Sequence, residues 1–268
     1  MQLRVNGSAK LDVRNIRRTF YRNTANQRVA LDGVDLQLEP GDFATVIGGN
    51  GAGKSTLLNA VAGEITVDEG SIRVDGIDVT GLPTEKRARW ISRVFQDPQI
   101  GTAGAMTIEE NLGIAEQRGL VRKLVPGLNR AQRDAYRELL SRFGLGLEDR
   151  MSAKVGLLSG GQRQSLSLLM AVLRVPELLL LDEHTAALDP RTADIVMAAT
   201  AKAVAEARLT TLMVTHNMQQ ALAFGNRLIM MHAGRIVLDV KGAEKAALTV
   251  GSLIEQFHLT SDALLLER

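Results

Sequence analysis

The sequence predicts an α/β fold in which a parallel-sheet core carries an N-terminal antiparallel β subdomain and an inserted α-helical subdomain. Three observations point to it. The first third alternates apolar and polar residues, as strands with one wet face do, and Asp75-Gly76 inside Ser71–Val79 is a hairpin signal. From about Thr107 to Phe143 the pattern is helical, broken by glycines and Pro126. Beyond Leu158, short apolar runs alternate with helical ones, the rhythm of parallel strands covered by helices on both sides.

The elements follow in order. Leu11–Phe20 and Val34–Leu38 read as half-buried strands. Asp42–Gly48 is mostly apolar and ends at a glycine cluster, which suits a buried strand feeding a loop, and Lys54–Ala62 has helical spacing. In the middle, Arg118, Arg122, Lys123, Arg130 and Arg133 are interspersed rather than clustered, so a solvated face is expected before a contact with acidic lipid headgroups. Then come a helix at Gly161–Leu173, a strand at Leu178–Leu181 and a helix at Pro190–Ala207. A strand at Thr210–Thr215, a helix at Met218–Phe224 and a strand at Leu228–Met231 complete the rhythm. Leu253–Phe257 is amphipathic and expected on the rim. With neither a repeat nor a low-complexity linker, residues 1–268 read as one compound domain. Its helical subdomain lies at about 100–165 and its C-terminal tail at about 240–268.

Composition narrows the function. The 32 basic and 30 acidic residues leave a net charge of +2, and six Phe, two Tyr and one Trp are too few for repeated base-stacking platforms, so no nucleic-acid partner is expected. At 45% hydrophobic and 23% charged the chain is ordinary globular material. The lack of cysteine excludes disulfide scaffolds, thiolate zinc sites and thiol catalysis, and fits a reducing cytosol. No apolar run approaches the roughly eighteen residues of a membrane span, and Met1–Lys10 lacks the apolar core of a signal peptide.

Gly48-Gly49-Asn50-Gly51-Ala52-Gly53-Lys54-Ser55-Thr56 satisfies G-x-x-x-x-G-K-[ST] between a predicted strand and a predicted helix. Glycines let successive backbone N–H groups turn toward phosphates, and the helix adds its positive end. Lys54 would reach the β- and γ-phosphates of a nucleotide and Ser55 would ligate Mg²⁺. Leu178-Leu179-Leu180-Leu181-Asp182-Glu183 is an apolar strand ending in two carboxylates. Asp182 would hold the Mg²⁺ shell, and Glu183 would orient and polarise the attacking water.

Leu158-Ser159-Gly160-Gly161-Gln162 decides the class. With it the chain resembles the ATP-binding-cassette (ABC) family, whose signature is LSGGQ. It reads as a second anion nest, in which the Ser159 hydroxyl and the Gly160 and Gly161 amides grip a γ-phosphate. The resemblance implies a RecA-like core and extends over almost the whole chain. By it, Gln96 in Val94-Phe95-Gln96-Asp97-Pro98 matches the Q-loop, joining catalysis and the metal shell and linking them to a membrane partner. Asp189 in Ala187-Leu188-Asp189 matches the D-loop at a dimer interface, and His216 matches the switch histidine at the γ-phosphate. Phe20 matches the adenine-stacking aromatic, although Tyr21 is adjacent and either ring could be core. One departure is His184, where the family commonly has proline after the catalytic Glu.

The resemblance further implies two ATP and Mg²⁺ shared across a head-to-tail pair of chains. Each ATP lies between the P-loop of one copy and Ser159–Gln162 of the other. The partners implied are a second copy, integral-membrane permease subunits and, indirectly, an extracytoplasmic solute-binding protein. The place implied is the cytoplasmic face of the plasma (inner) membrane. DEHTAALDP and Thr211–Met218 look like an importer branch for small solutes, tryptophan and tyrosine among them. Exporter ATPases share these motifs. Soluble cassette ATPases usually carry two cassettes or a long coiled-coil insertion, and neither is visible here.

Overall fold

The computed structural model describes residues 9–120, 128–142, 144 and 146–257. Alternation in the first third builds an antiparallel sheet. Strand β1 (Leu11–Phe20) pairs with β2 (Arg28–Leu38) on one side and β4 (Glu69–Val74) on the other, and β4 turns into β5 (Ile77–Asp78). The turn is Asp75-Gly76, both in the left-handed region (φ 50° and 77°), which matches the right-handed twist of a hairpin.

A six-stranded sheet forms the core, in the order β10 (Arg235–Lys241), β9 (Arg227–His232), β3 (Phe43–Gly48), β8 (Thr211–Val214), β7 (Leu178–Asp182), β6 (Ile91–Val94). From β9 to β6 the neighbours run parallel, whereas β10 returns antiparallel through Ala233-Gly234. The expected parallel sheet therefore carries an antiparallel edge strand. Two of its strands, β6 and β10, were not legible as strands, because Arg93 interrupts the apolar run of one and the other alternates along an exposed edge.

The four leucines of β7 are apolar because both faces of the sheet are covered. Leu178 and Leu180 pack with Leu57, Leu58 and Val61 of α1 (Lys54–Ala62). Leu179 and Leu181 pack with Leu168 of α5 (Gly160–Leu173) and Met197 of α6 (Pro190–Ala207). Shorter α2 (Thr84–Arg87), α7 (Met218–Ala223) and α8 (Ala243–Ala246) fill the connections. Between β6 and α5, α3 (Ile108–Glu116) and α4 (Arg130–Ser141) build the inserted subdomain around Ile108, Leu112, Tyr136 and Leu140. Helix α5 serves two cores, giving Leu168 to the sheet and Leu166 and Leu169 to the insertion. The tail helix, residues 250–257, buries Leu253 completely against Ile47, Leu228 and Met230, which places it on the sheet itself.

One of the interspersed cations departs from the solvated role that sequence suggests. Arg118 is largely withdrawn from water and donates to the carbonyl oxygens of Ala171 (2.8 Å) and Arg174 at the end of α5. Burial pushes its guanidinium down to about 10. Arg130 and Arg133 are exposed, Arg133 pairing with Glu109 at 3.0 Å, while Arg122, Lys123 and Pro126 lie outside the described residues.

Arg87 is 2% exposed and clamps the end of α1. Its Nη1 donates to the Ala60 and Val61 carbonyls (2.7 and 2.8 Å), its Nε to Leu82 O (2.7 Å) and its Nη2 to Thr80 O (3.0 Å). Two of these acceptors are carbonyls of the last turn of α1, which have no i+4 amide within the helix, and Ala60 O also accepts from the Gly63 amide at 3.3 Å. Arg87→Met keeps the stem and removes all four hydrogen bonds, so it should destabilise the fold by about 3 kcal/mol. The check is a lower urea midpoint at unchanged slope.

Candidate active site

Four adjacent parallel strands, β3, β8, β7 and β6, end on the same side of the sheet, where ligands of open α/β sheets bind. Each is followed by residues singled out from sequence. The loop 48–53 follows β3, His216 lies two residues past β8, Glu183 one past β7, and Gln96 two past β6.

The loop's glycines are required at particular points. A Cβ at Gly53, the left-handed N-cap of α1 (φ 103°), would stand 2.5 Å from Ala30 O, and one at Gly48 would stand 2.4 Å from Met231 O. Gly49 and Asn50 are exposed, and Gly51, Ala52, Gly53, Lys54, Ser55 and Thr56 line a cleft of about 140 Å³ with Phe20, Arg28 and Ala30. Phe20 is half-buried on this cleft, under the Arg18 guanidinium (5.0 Å to the ring centroid), whereas Tyr21 is 72% exposed. Lys54 is buried and donates to the Gly48 and Gly49 carbonyls at 2.8 and 3.1 Å. Burial pushes its ammonium below the usual lysine range, and the nearby Glu183 carboxylate opposes that shift.

Glu183 adopts a left-handed backbone (φ 43°), a strained choice for a non-glycine residue. The sheet holds it there, since its amide donates to Val214 O at 3.0 Å. Its Oε2 lies 3.3 Å from Nδ1 of His216, a ring otherwise exposed to solvent. His184 points elsewhere. It is 2% exposed, and its Nε2 lies 3.1 Å from the Thr200 hydroxyl. That hydroxyl donates to Val196 O (2.8 Å), so it accepts from Nε2–H, which sets the tautomer. Burial pushes the ring down to about 4, so it is neutral at physiological pH.

Asp182 was expected beside the P-loop, and α1 does pack on β7. Its Oδ2 also accepts from Nη2 of Arg93 at 2.6 Å. This arginine was not among the residues singled out; its only sequence signal is a lone cation in the apolar run before Gln96. Gln96 itself is exposed. Among the described residues no cluster of three or more His, Asp and Glu side chains could hold a metal by itself. The oxygen donors Ser55 and Asp182 suit Mg²⁺, which typically takes one or two protein oxygens and completes its shell with phosphates and water.

Ser159–Gln162 contributes nothing to the cleft lining. It opens α5, with Ser159 and Gln162 forming a reciprocal capping box and with Ser159 and Gly160 exposed. Asp189 caps α6 by accepting from the Thr192 amide at 3.1 Å, and the Thr192 hydroxyl together with that amide holds its carboxyl below the usual range.

A phosphate-binding loop on a buried strand, acid-tipped β7 and a histidine past β8 define a P-loop nucleoside triphosphatase. The family model for ABC transporters matches residues 31–186, and the chain belongs to that family, as an ATP-hydrolysing cassette coupled to transport. It is 45% identical over 248 residues to the tyrosine transport ATP-binding protein of Clostridioides difficile (strain R20291), covering 92% of this chain and 98% of that one. It is 34% identical over 234 residues to the methionine import ATP-binding protein MetN of Corynebacterium efficiens, covering 85% of this chain and 62% of that one. A solved dimeric ATP-binding cassette in a post-hydrolysis state with ADP and Pi superposes with a TM-score of 0.72. It shares 29% identity, over 86% of this chain and 98% of its own.

Proposed function

We propose that the chain powers import of a small solute, an aromatic amino acid of the tyrosine kind, through separate permease subunits supplied by an extracytoplasmic solute-binding protein. The observation that carries this is the near full-length match to the tyrosine transport protein. The methionine relative is an importer subunit by name. A groove of about 1830 Å³ beside Gln96 supports a membrane partner. It is lined by Trp90, Phe95, Ile100, Met106, Ile114 and Leu120, and Ile100, Ile114 and Leu120 are exposed apolar residues of the kind that mark interfaces. No helix among the described residues is long and apolar enough to cross a membrane; in this reading the chain attaches peripherally, through the permease.

Two copies work head to tail. The exposed start of α5 supports this, since Ser159 and Gly160 stand outside their own cleft and are open to a cleft on another copy, with Asp189 at the seam. Phe20 stacks the adenine, the loop amides and Lys54 bind the phosphates, and Ser55, Asp182 and Gln96 hold Mg²⁺. When bound, Mg²⁺ supplies neutralisation of phosphate charge. Glu183 orients and polarises water while His216, hydrogen-bonded to it, touches the γ-phosphate. The division into sheet core, helical subdomain at about 100–165 and tail at about 240–268 is part of this reading, and the separate apolar cluster of the insertion supports it.

Recovery of the full chain from detergent-solubilised membranes should bring an integral membrane protein with it. In vesicles carrying that complex, ATP should drive accumulation of tyrosine added with binding protein on the opposite side. ATP-driven movement away from the ATP side, or recovery with ribosomes instead, overturns the reading.

A further inference from the structure

Arg93 belongs to none of the motifs, yet it reaches the acid end of β7. Its side chain is 10% exposed and bridges two carboxylates, Glu64 Oε1 at 2.7 Å and Asp182 Oδ2 at 2.6 Å. Below, its guanidinium lies over the Phe95 ring, 4.8 Å from the centroid. Glu64 is the second residue past α1, the P-loop helix, and Phe95 directly precedes Gln96. A fixed cation thus stands between the end of the P-loop helix, the acid strand and the Q-loop.

We propose that Arg93 is an internal counter-ion that competes with the divalent metal for Asp182, and so sets the metal concentration at which Mg·ATP binds. The proposal rests on the reading of Asp182 as a metal-shell residue. The physics is charge accounting in a partly desolvated site. A guanidinium bonded to one carboxylate oxygen withdraws negative charge from the other and repels a dication a few ångström away. Glu64 tempers this by sharing the guanidinium. Held by two acids and an aromatic face, Arg93 stays on Asp182 until something outbids it, and its displacement would disturb the Phe95–Gln96 segment.

The two members of the pair make opposite predictions, which a purely structural role does not. Arg93→Gln removes the competing charge, so about tenfold less metal should half-saturate ATP binding. Glu64→Gln leaves Arg93 wholly to Asp182 and removes a nearby negative charge, so more metal should be needed. Arg93→Lys keeps the charge and should stay near the parental value. The experiment uses the full chain in the Glu183→Gln background, so hydrolysis does not intrude. ATP binding is titrated with Mg²⁺, and Mn²⁺ is followed by electron paramagnetic resonance. ATP affinity without metal serves as the check on folding and on the P-loop. Asp182→Asn is the reference: if it leaves the metal requirement unchanged, the reading of Asp182 fails. If Asp182→Asn raises the requirement while Arg93→Gln leaves it unchanged or raises it, that reading stands and the counter-ion proposal is overturned. Should Arg93→Gln prove unfolded, Glu64→Gln decides alone: a raised requirement supports the proposal, and an unchanged or lowered one overturns it.

Discussion

Glu183→Gln binds ATP with parental affinity and hydrolyses it about a thousandfold more slowly, the size expected when a positioned base is lost. The amide fills the same space, and the backbone that aims it is fixed by the sheet, through the bond from the Glu183 amide to Val214 O. What disappears is the basic oxygen beside His216. Single-turnover hydrolysis and equilibrium binding of a fluorescent ATP analogue separate the two quantities. Turnover at the parental rate places the base elsewhere.

Adding Gly160→Asp to that protein abolishes ATP-dependent dimerisation while one chain still binds nucleotide. Gly160 is the first residue of α5 after its Ser159 cap, and a Cβ there meets only Leu188 Cδ2 at 3.6 Å, an ordinary contact. Gly161 would be a poor choice, because a Cβ there falls 2.1 Å from Thr192 Cγ2. A carboxylate at the start of a helix also favours the fold through the helix dipole, so thermal stability should hold or rise slightly. Loss of association without loss of stability isolates repulsion between the new carboxylate and the γ-phosphate of the partner's ATP. Light scattering reads the outcome, and a stable ATP-bound dimer of the double variant ends the shared-site reading.

The legible parts of this chain were those where local pattern and tertiary demand agree. Leu11–Phe20, Lys54–Ala62 and Pro190–Ala207 have the same bounds in structure and in sequence, since caps, glycines and periodicity coincide there. The P-loop and the β7 acids were legible because few other residue types could serve phosphate and metal. Charged side chains with inward tasks were harder. Arg87, Arg93 and Arg118 satisfy carbonyls or carboxylates far along the chain, and nothing local separates such a cation from a solvated one. His184 shows the converse, a residue beside the catalytic position whose ring turns to Thr200 and away from the site.

The strand order has a consequence for how the chain acquires competence. The P-loop strand β3 lies early in the sequence, yet its sheet neighbours are β8 and β9, from the last quarter of the chain. Such distant pairings form slowly, and a nascent chain carries the phosphate loop long before it can be braced. On the proposed reading of the site, nucleotide is held against Glu183 and His216 only once β7 and β8 have docked, so a partly synthesised cassette should not consume ATP. Ligand binding then rewards the completed sheet alone, which makes nucleotide a selective stabiliser of finished molecules.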